Sequence, residues 1–329
     1  MSTSSPILPP ELEHRIFYAA AYSAPYDALN LMLVTWRVKQ WVEPLLYRYL
    51  VIGSRLPSSS QAIPILGTDP ANPARRHWQM LQSKPIELLS TAVENLMIVS
   101  VKEPTFSQIP ALLSGVRNLV VVSVQPVHGA LDAFQRLERL DCNYFEHLFD
   151  YGYDSETIAN IRIAENPTLA RLTHLEMGTE SALENFAVWS EILRLPSLTH
   201  LAIAQHEEVV SALETPQRAA LVAAMRPTGQ LNAFVVRYFY SSSPEMEGNE
   251  EFDEWLESNP GFVALSTVSS WALSWGNAVL GLMPDFWTRV DEHVGRRRAD
   301  KTIGRILVDL EPGVEAGYNC YVHQGQPPA

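Results

Sequence analysis

Apolar residues in the first fifty positions recur at helical spacing and then give way to short β-like runs. Leu12, Ile16, Ala19 and Ala20 mark one helix face. Pro9 and Pro10 suit its first turn, where a missing amide donor costs nothing. Glu11 and Glu13 follow where the helix dipole favours negative charge. Pro25 interrupts the pattern. A second stripe follows with Leu29, Met32 and Leu33, widened by Leu31 and Val34. A third carries Trp36, Val38, Trp41 and Val42, and Pro44 is expected to begin another turn with Leu45, Leu46 and Tyr47. Tyr49-Leu50-Val51-Ile52, β-branched and aromatic, reads as a strand.

The segment from Gly53 to Ala74 is rich in Pro, Ser and Gly and reads as a connecting loop. A helical pattern resumes at His77 to Leu81, and Pro85 is expected to close it. From there one plan recurs: Asn95-Leu96-Met97-Ile98, Asn118-Leu119-Val120-Val121, Leu137 to Cys142, Leu172 to Met177, Leu198 to Ile203, and a weaker copy from Leu231 to Val236. With Leu96, Leu119, Leu140, Leu175, Leu201 and Phe234 as equivalents, the intervals are 23, 21, 35, 26 and 33 residues. The two longest predict insertions or missed repeats near 143–170 and 204–230. Helical stretches lie between the copies, at Ile109 to Leu113, Leu183 to Leu195 and Pro216 to Met225. Strand and helix in alternation give a parallel sheet through right-handed crossovers. A Rossmann-like sheet reads similarly. The paired Leu-Thr-His-Leu copies and the lack of a Gly-rich phosphate loop favour a repeat array.

Beyond the copies come Phe252 to Asn259, an apolar strand Phe262 to Leu265, and Asp285-Phe286-Trp287 leading to Arg296-Arg297-Arg298. The tail from Pro312 to Ala329 is expected to be poorly ordered.

Leu8-Pro9-x-Glu11-Leu12-x-x-x-Ile16-Phe17, then Leu33-Val34, Arg37, Trp41 and Leu46-Tyr47-Arg48, resemble an F-box. More narrowly they are similar to the F-box-like proteins abundant in mushroom-forming fungi, as is the terminal order of strand, aromatic-bearing helix and basic run. The resemblance implies a module at 6–52 that docks on the Skp-family adaptor of a cullin-based ubiquitin ligase through Leu8, Pro9, Leu12, Ile16, Phe17, Leu33, Val34 and Trp41. The same helices could equally serve as the cap that a repeat array needs at its end. The expected fold is α/β: the three-helix F-box-like module, a loop and linking helix at 53–92, an irregular leucine-rich-repeat solenoid with a curved parallel sheet at 93–300, and a tail at 301–329.

Charge narrows the partners. With 37 acidic against 24 basic residues the formal charge is −13, which argues against sequence-independent nucleic-acid binding and against an anionic membrane surface. Cys142 and Cys320 show no metal-ligand spacing, and reduced thiols in the cytosol or nucleus are the economical reading. The first residues lack a signal-peptide pattern, and no apolar run approaches the roughly 20 residues that span a bilayer. The expectation is a soluble protein, cytoplasmic or nuclear.

Candidate chemistry is sparse. No nucleophile elbow, Walker loop, HExxH or GxGxxG occurs, so no catalytic residue, metal or cofactor is expected. His206-Glu207-Glu208 lacks a second histidine one turn on, and Gly276 and Gly281 read as packing glycines. His174 and His200 fill the same slot in two copies. Strand alternation places Arg139, Asp141, His174, Glu176, His200 and Arg237 on the sheet's open face, a polar ladder for an unknown protein target. Metal binding or acid–base work by the same set needs an enclosed pocket that a flat sheet lacks. The acidic stretch Ser241 to Glu251 reads as a solvated linker, and Arg296 to Arg298 as the end of a helix.

Overall fold

The computed structural model describes residues 8–24, 27–53, 81, 83–99, 113–122, 131, 134–142, 162–178, 186–205, 213–226, 228–239, 250–267, 275 and 284–309. The Ser241–Asn249 part of the acidic stretch, the tail beyond 309 and most of the 53–85 linker lie outside these residues.

Three helices come first: α1 (Pro10–Ser23), α2 (Ala28–Met32) and α3 (Trp36–Tyr47). Thr35 caps α3, its hydroxyl accepting from the Val38 amide at 3.2 Å. Pro44 does not begin a new turn: it lies inside α3, which runs unbroken to Tyr47. One helix hydrogen bond is lost there, and burial of Val38, Val42 and Tyr47 offsets it. Phe17, Ala21, Ala28, Val38, Val42 and Trp41 form the small core of this module. An ion pair between Arg37 and Glu13 ties α3 to α1.

Nine strands form one all-parallel sheet whose order follows the chain. They are β1 (Tyr49–Gly53), β2 (Asn95–Val99), β3 (Asn118–Val122), β4 (Arg139–Cys142), β5 (His174–Gly178), β6 (His200–Gln205), β7 (Ala233–Phe239), β8 (Phe262–Thr267) and β9 (Ile306–Asp309). Leu50, Leu96, Leu119, Leu140, Leu175, Leu201, Phe234 and Phe262 stand in one register column across β1 to β8. The repeat equivalences therefore hold residue by residue. Strand β4 pairs directly with β5, and β6 with β7, so no further strand of this sheet stands between either pair.

Each residue of this column is buried, and burial of one leucine stabilises by roughly 2 kcal/mol. The first face of the sheet packs on α4 (Ile86–Ala92), α5 (Phe186–Ile192), α6 (Thr215–Ala224) and α7 (Glu250–Ser258) through Leu89, Trp189, Leu221 and Leu256. Before β5 two 3-10 turns, Ile163–Glu165 and Pro167–Arg171, turn Ile163 and Leu169 into the same core. Pro85 opens α4 instead of closing an earlier helix.

Two boundaries differ from the sequence reading. Strand β1 is already part of the sheet, so the helical module and the array share an element. Strand β9 lies beyond residue 300 and adds the last edge, through Ala264 opposite Ile306. A further helix, α8 (Phe286–Ala299), packs on the second face of the sheet. Among the described residues no helix is long and apolar enough to cross a membrane.

Candidate functional site

Two places carry the candidate residues. On α1, Phe17 and Ala21 turn inward, while Leu12 and Ile16 lie four residues apart on another face, with Leu8 just ahead of the helix. These three are 41%, 45% and 54% exposed. Leu33 and Val34, in the turn between α2 and α3, are exposed as well, Leu33 more than any other large apolar residue described. Pro9 stands exposed at the mouth of α1. Phe17 and Trp41 are partly buried within the module core, and the Trp41 ring meets His14 edge-on at 5.1 Å. Of the eight residues read as adaptor-binding, six are therefore surface residues and two support them from beneath.

The polar ladder sits where strand alternation puts it. Arg139, His174 and His200 stand in one row, Asp141 and Glu176 in the next, and Arg237 lies opposite Ala204. The face they occupy is covered, however, and the expectation of an open ladder is corrected on that point. Ala202, Ala233, Val235, Val263 and Leu265 share this face and pack against Trp287, Val290 and Val294 of α8. Leaving those apolar groups in water would cost more than bringing the helix over them. Glu176, His200 and Arg237 are consequently only 5%, 6% and 3% exposed, and Arg139, Asp141 and His174 are half-buried.

Each ladder residue is engaged. Arg237 donates to Glu176 at 2.6 Å, with Phe286 against its guanidinium at 5.5 Å. Asp141 joins this pair as a second carboxylate. Burial pushes its pKa well up, the Glu176 charge adds to the rise, and Arg237 opposes it. The His174 and His200 rings stack at 4.2 Å, with planes 8° apart, and the Trp287 ring stands edge-on over both at 5.0 and 5.6 Å. Each histidine Nδ1 hydrogen-bonds with the preceding threonine hydroxyl, Thr173 at 2.8 Å and Thr199 at 2.7 Å.

Helix α8 supplies the outer partners. Asp291 meets His200 Nε2 at 2.9 Å, and Asp285 meets Arg139 at 3.3 Å. Burial lowers the His174 pKa to about 3, helped by the nearby His200 and Arg139 and opposed by Asp285. For Asp285 itself burial acts upward, yet the Thr288 amide and the Arg139 charge outweigh it and hold the carboxyl below its usual range. A neutral histidine and a carboxyl biased toward its acid form are what burial beneath a helix produces. The arrangement clamps α8 to the sheet. Among the described residues no cluster of three or more His, Cys, Asp or Glu has the placement to hold a metal ion.

Arg297 is the residue that sequence reasoning missed most completely. It reads as one of three arginines ending a helix, but only Arg296 and Arg298 remain exposed. Arg297 is buried and donates to the carbonyls of Glu257 at 2.6 Å, Asn259 at 2.9 Å and Ile303 at 3.3 Å, and to that of Phe262. It thus ties the end of α8 to the turn that enters β8. Burial lowers its pKa, Glu257 opposes this and Arg305 adds to it. No family model, no curated protein and no solved structure matches this chain.

Proposed function

We propose that this protein is a non-catalytic protein-binding adaptor, with an F-box-like module at its N-terminus and a leucine-rich-repeat-like array behind it. In this reading Leu8, Pro9, Leu12, Ile16, Leu33 and Val34 dock on the Skp-family adaptor of a cullin-based ubiquitin ligase, and the array holds a target protein. The chain itself contributes proximity, and other subunits carry out transfer.

One observation supports the docking half. Of the twelve exposed large apolar side chains among the described residues, nine fall between Leu8 and Trp36. Apolar side chains concentrated in this way mark an interaction surface. For the target half, the ladder is already occupied by α8, so a target meets the outer surface of that helix or the strand ends.

The test is a binding titration of the full-length chain against the host's Skp-family adaptor, with the double variant Leu12→Asp, Ile16→Asp as control. Binding that disappears in the folded double variant is the expected result. A folded wild-type chain that does not bind at all sinks the docking half.

A second reading, in which the helices cap the array, has its own support. Tyr47 belongs to the main core beside Leu50 and Leu89, and Arg48 and Lys84 pair with Glu94 and Glu43 at 2.9 and 3.3 Å. Capping uses the end of α3, and docking uses α1 with the turn after α2, so one module can do both.

A further inference from the structure

A cleft of about 520 Å³ opens between the turns that lead into β7 and β8 and the last turn of α8. Its size falls within the range of about 300–1,000 Å³ typical of small-ligand sites. Arg226, from the end of α6, and Arg298, from α8, both line it, as do Asn232, Asn259, Trp255 and Pro260. On a chain with a formal charge of −13, this cleft carries two arginines and, among its described lining residues, no carboxylate. Among the described residues neither arginine forms an ion pair, and Arg298 has only a long 3.4 Å contact to the Asn232 carbonyl.

The walls of this cleft are fixed. Buried Arg297 holds the carbonyls of Glu257, Asn259 and Phe262 and so pins the turn that forms the floor. Gly261 in that turn has no room for a side chain: a Cβ would sit 2.7 Å from the Asn232 carbonyl oxygen. Trp255 lies parallel to Phe252, with ring centroids 5.8 Å apart and planes 11° apart, so its indole presents a flat apolar wall of settled orientation. A cavity with a flat wall and two guanidinium groups that form no ion pair among the described residues matches a particular kind of guest.

We propose that this cleft binds an oxyanion, carboxylate or phosphate, carried on a flat apolar group. Arg226 and Arg298 take the oxyanion through charge-assisted hydrogen bonds, for which guanidinium geometry is suited. The apolar part lies against Trp255 and Pro260. Asn232 and Asn259 also line the cleft, the Asn259 side-chain oxygen already accepting from the Gly261 amide at 2.9 Å. The site is independent of the N-terminal docking surface, and either stands without the other.

Calorimetric titration of the full chain with phenyl phosphate, benzoate and neutral benzyl alcohol tests this, at 20 and 200 mM salt. The expected result is binding of at least one anion, weakened by the higher salt, with no binding of the alcohol. Binding of phenyl phosphate alone assigns the oxyanion as phosphate, and of benzoate alone as carboxylate. Arg226→Gln and Arg298→Gln should each weaken it about tenfold, and the double variant should abolish it with an unchanged circular dichroism melt. Both substitutions are at exposed positions, so folding is expected to survive. The proposal is overturned if neither anion binds at millimolar concentration, if the alcohol binds as well as the anions, or if the double variant binds like the wild type.

Discussion

Helix α1 leaves Leu12 and Ile16 about half exposed, whereas α8 buries Trp287, Val290 and Val294 against the sheet. Both are fourteen-residue helices with an apolar stripe, one at each end of the array. At the C-terminal end the second face of β6 to β8 is itself apolar, so helix and sheet satisfy one another within the chain. At the N-terminal end the second stripe of α1 has no such surface among the described residues. Periodicity says that a face needs covering; it does not say by what.

The largest effect that breaks this comparison is expected at the clamp beneath α8. Arg237→Ala strands Glu176 and Asp141 without their cation, and should cost about 4 kcal/mol in denaturant unfolding. Glu176→Gln added to it should restore part of that loss. Trp287→Ala removes the ring that lies over both histidines and should cost about 3 kcal/mol. The same variant should move the His174 titration upward toward its ordinary range, read by the imidazole proton shifts in NMR.

Acid should loosen the C-terminal end. His174 and His293 both have lowered pKa values, in each case chiefly through burial. The unfolded chain therefore takes up protons that the folded chain refuses. Stability falls as pH drops below about 6.5, by at most about 1.4 kcal/mol per pH unit for each group, and for His174 the fall continues to about pH 3. Asp141 acts in the opposite sense, because its raised pKa makes the folded state the better proton acceptor above the ordinary carboxylate range. His174→Gln should flatten the acid slope between pH 6.5 and 5, measured as denaturation midpoints. The smallest expected effect is Leu12→Asp with Ile16→Asp, within about 0.5 kcal/mol of wild type in stability because both side chains already face water.

Much of the array was legible in the sequence. The column Leu96, Leu119, Leu140, Leu175, Leu201, Phe234 is one register column because parallel pairing repeats one strand motif in place. The alternation of His174, Leu175, Glu176 and Met177 gave the right faces for the same reason. What alternation could not give was the fate of the second face. A signal was present: Ala233-Phe234-Val235-Val236 and Phe262-Val263-Ala264-Leu265 are apolar without a break, the mark of strands covered on both sides. Trp287, Val290 and Val294, spaced at three and four residues, were the matching stripe. Arg297 gave no such signal, because its role depends on carbonyls some forty residues away that a turn happens to aim at it.

A sheet whose strands touch only their sequential neighbours would ordinarily melt in pieces, each unit fraying from its edge nearly independently. Helix α8 alters that for part of the sheet. Its contacts run from Arg139 on β4, through the histidines of β5 and β6, to Val235 on β7 and Leu265 on β8. Those five strands share one cover and so open together or not at all, while β1 to β3 lie outside its reach among the contacts described. In amide hydrogen exchange the protein should therefore behave as two cooperative units of unequal size, with the slower one bounded by a helix that belongs to no single repeat.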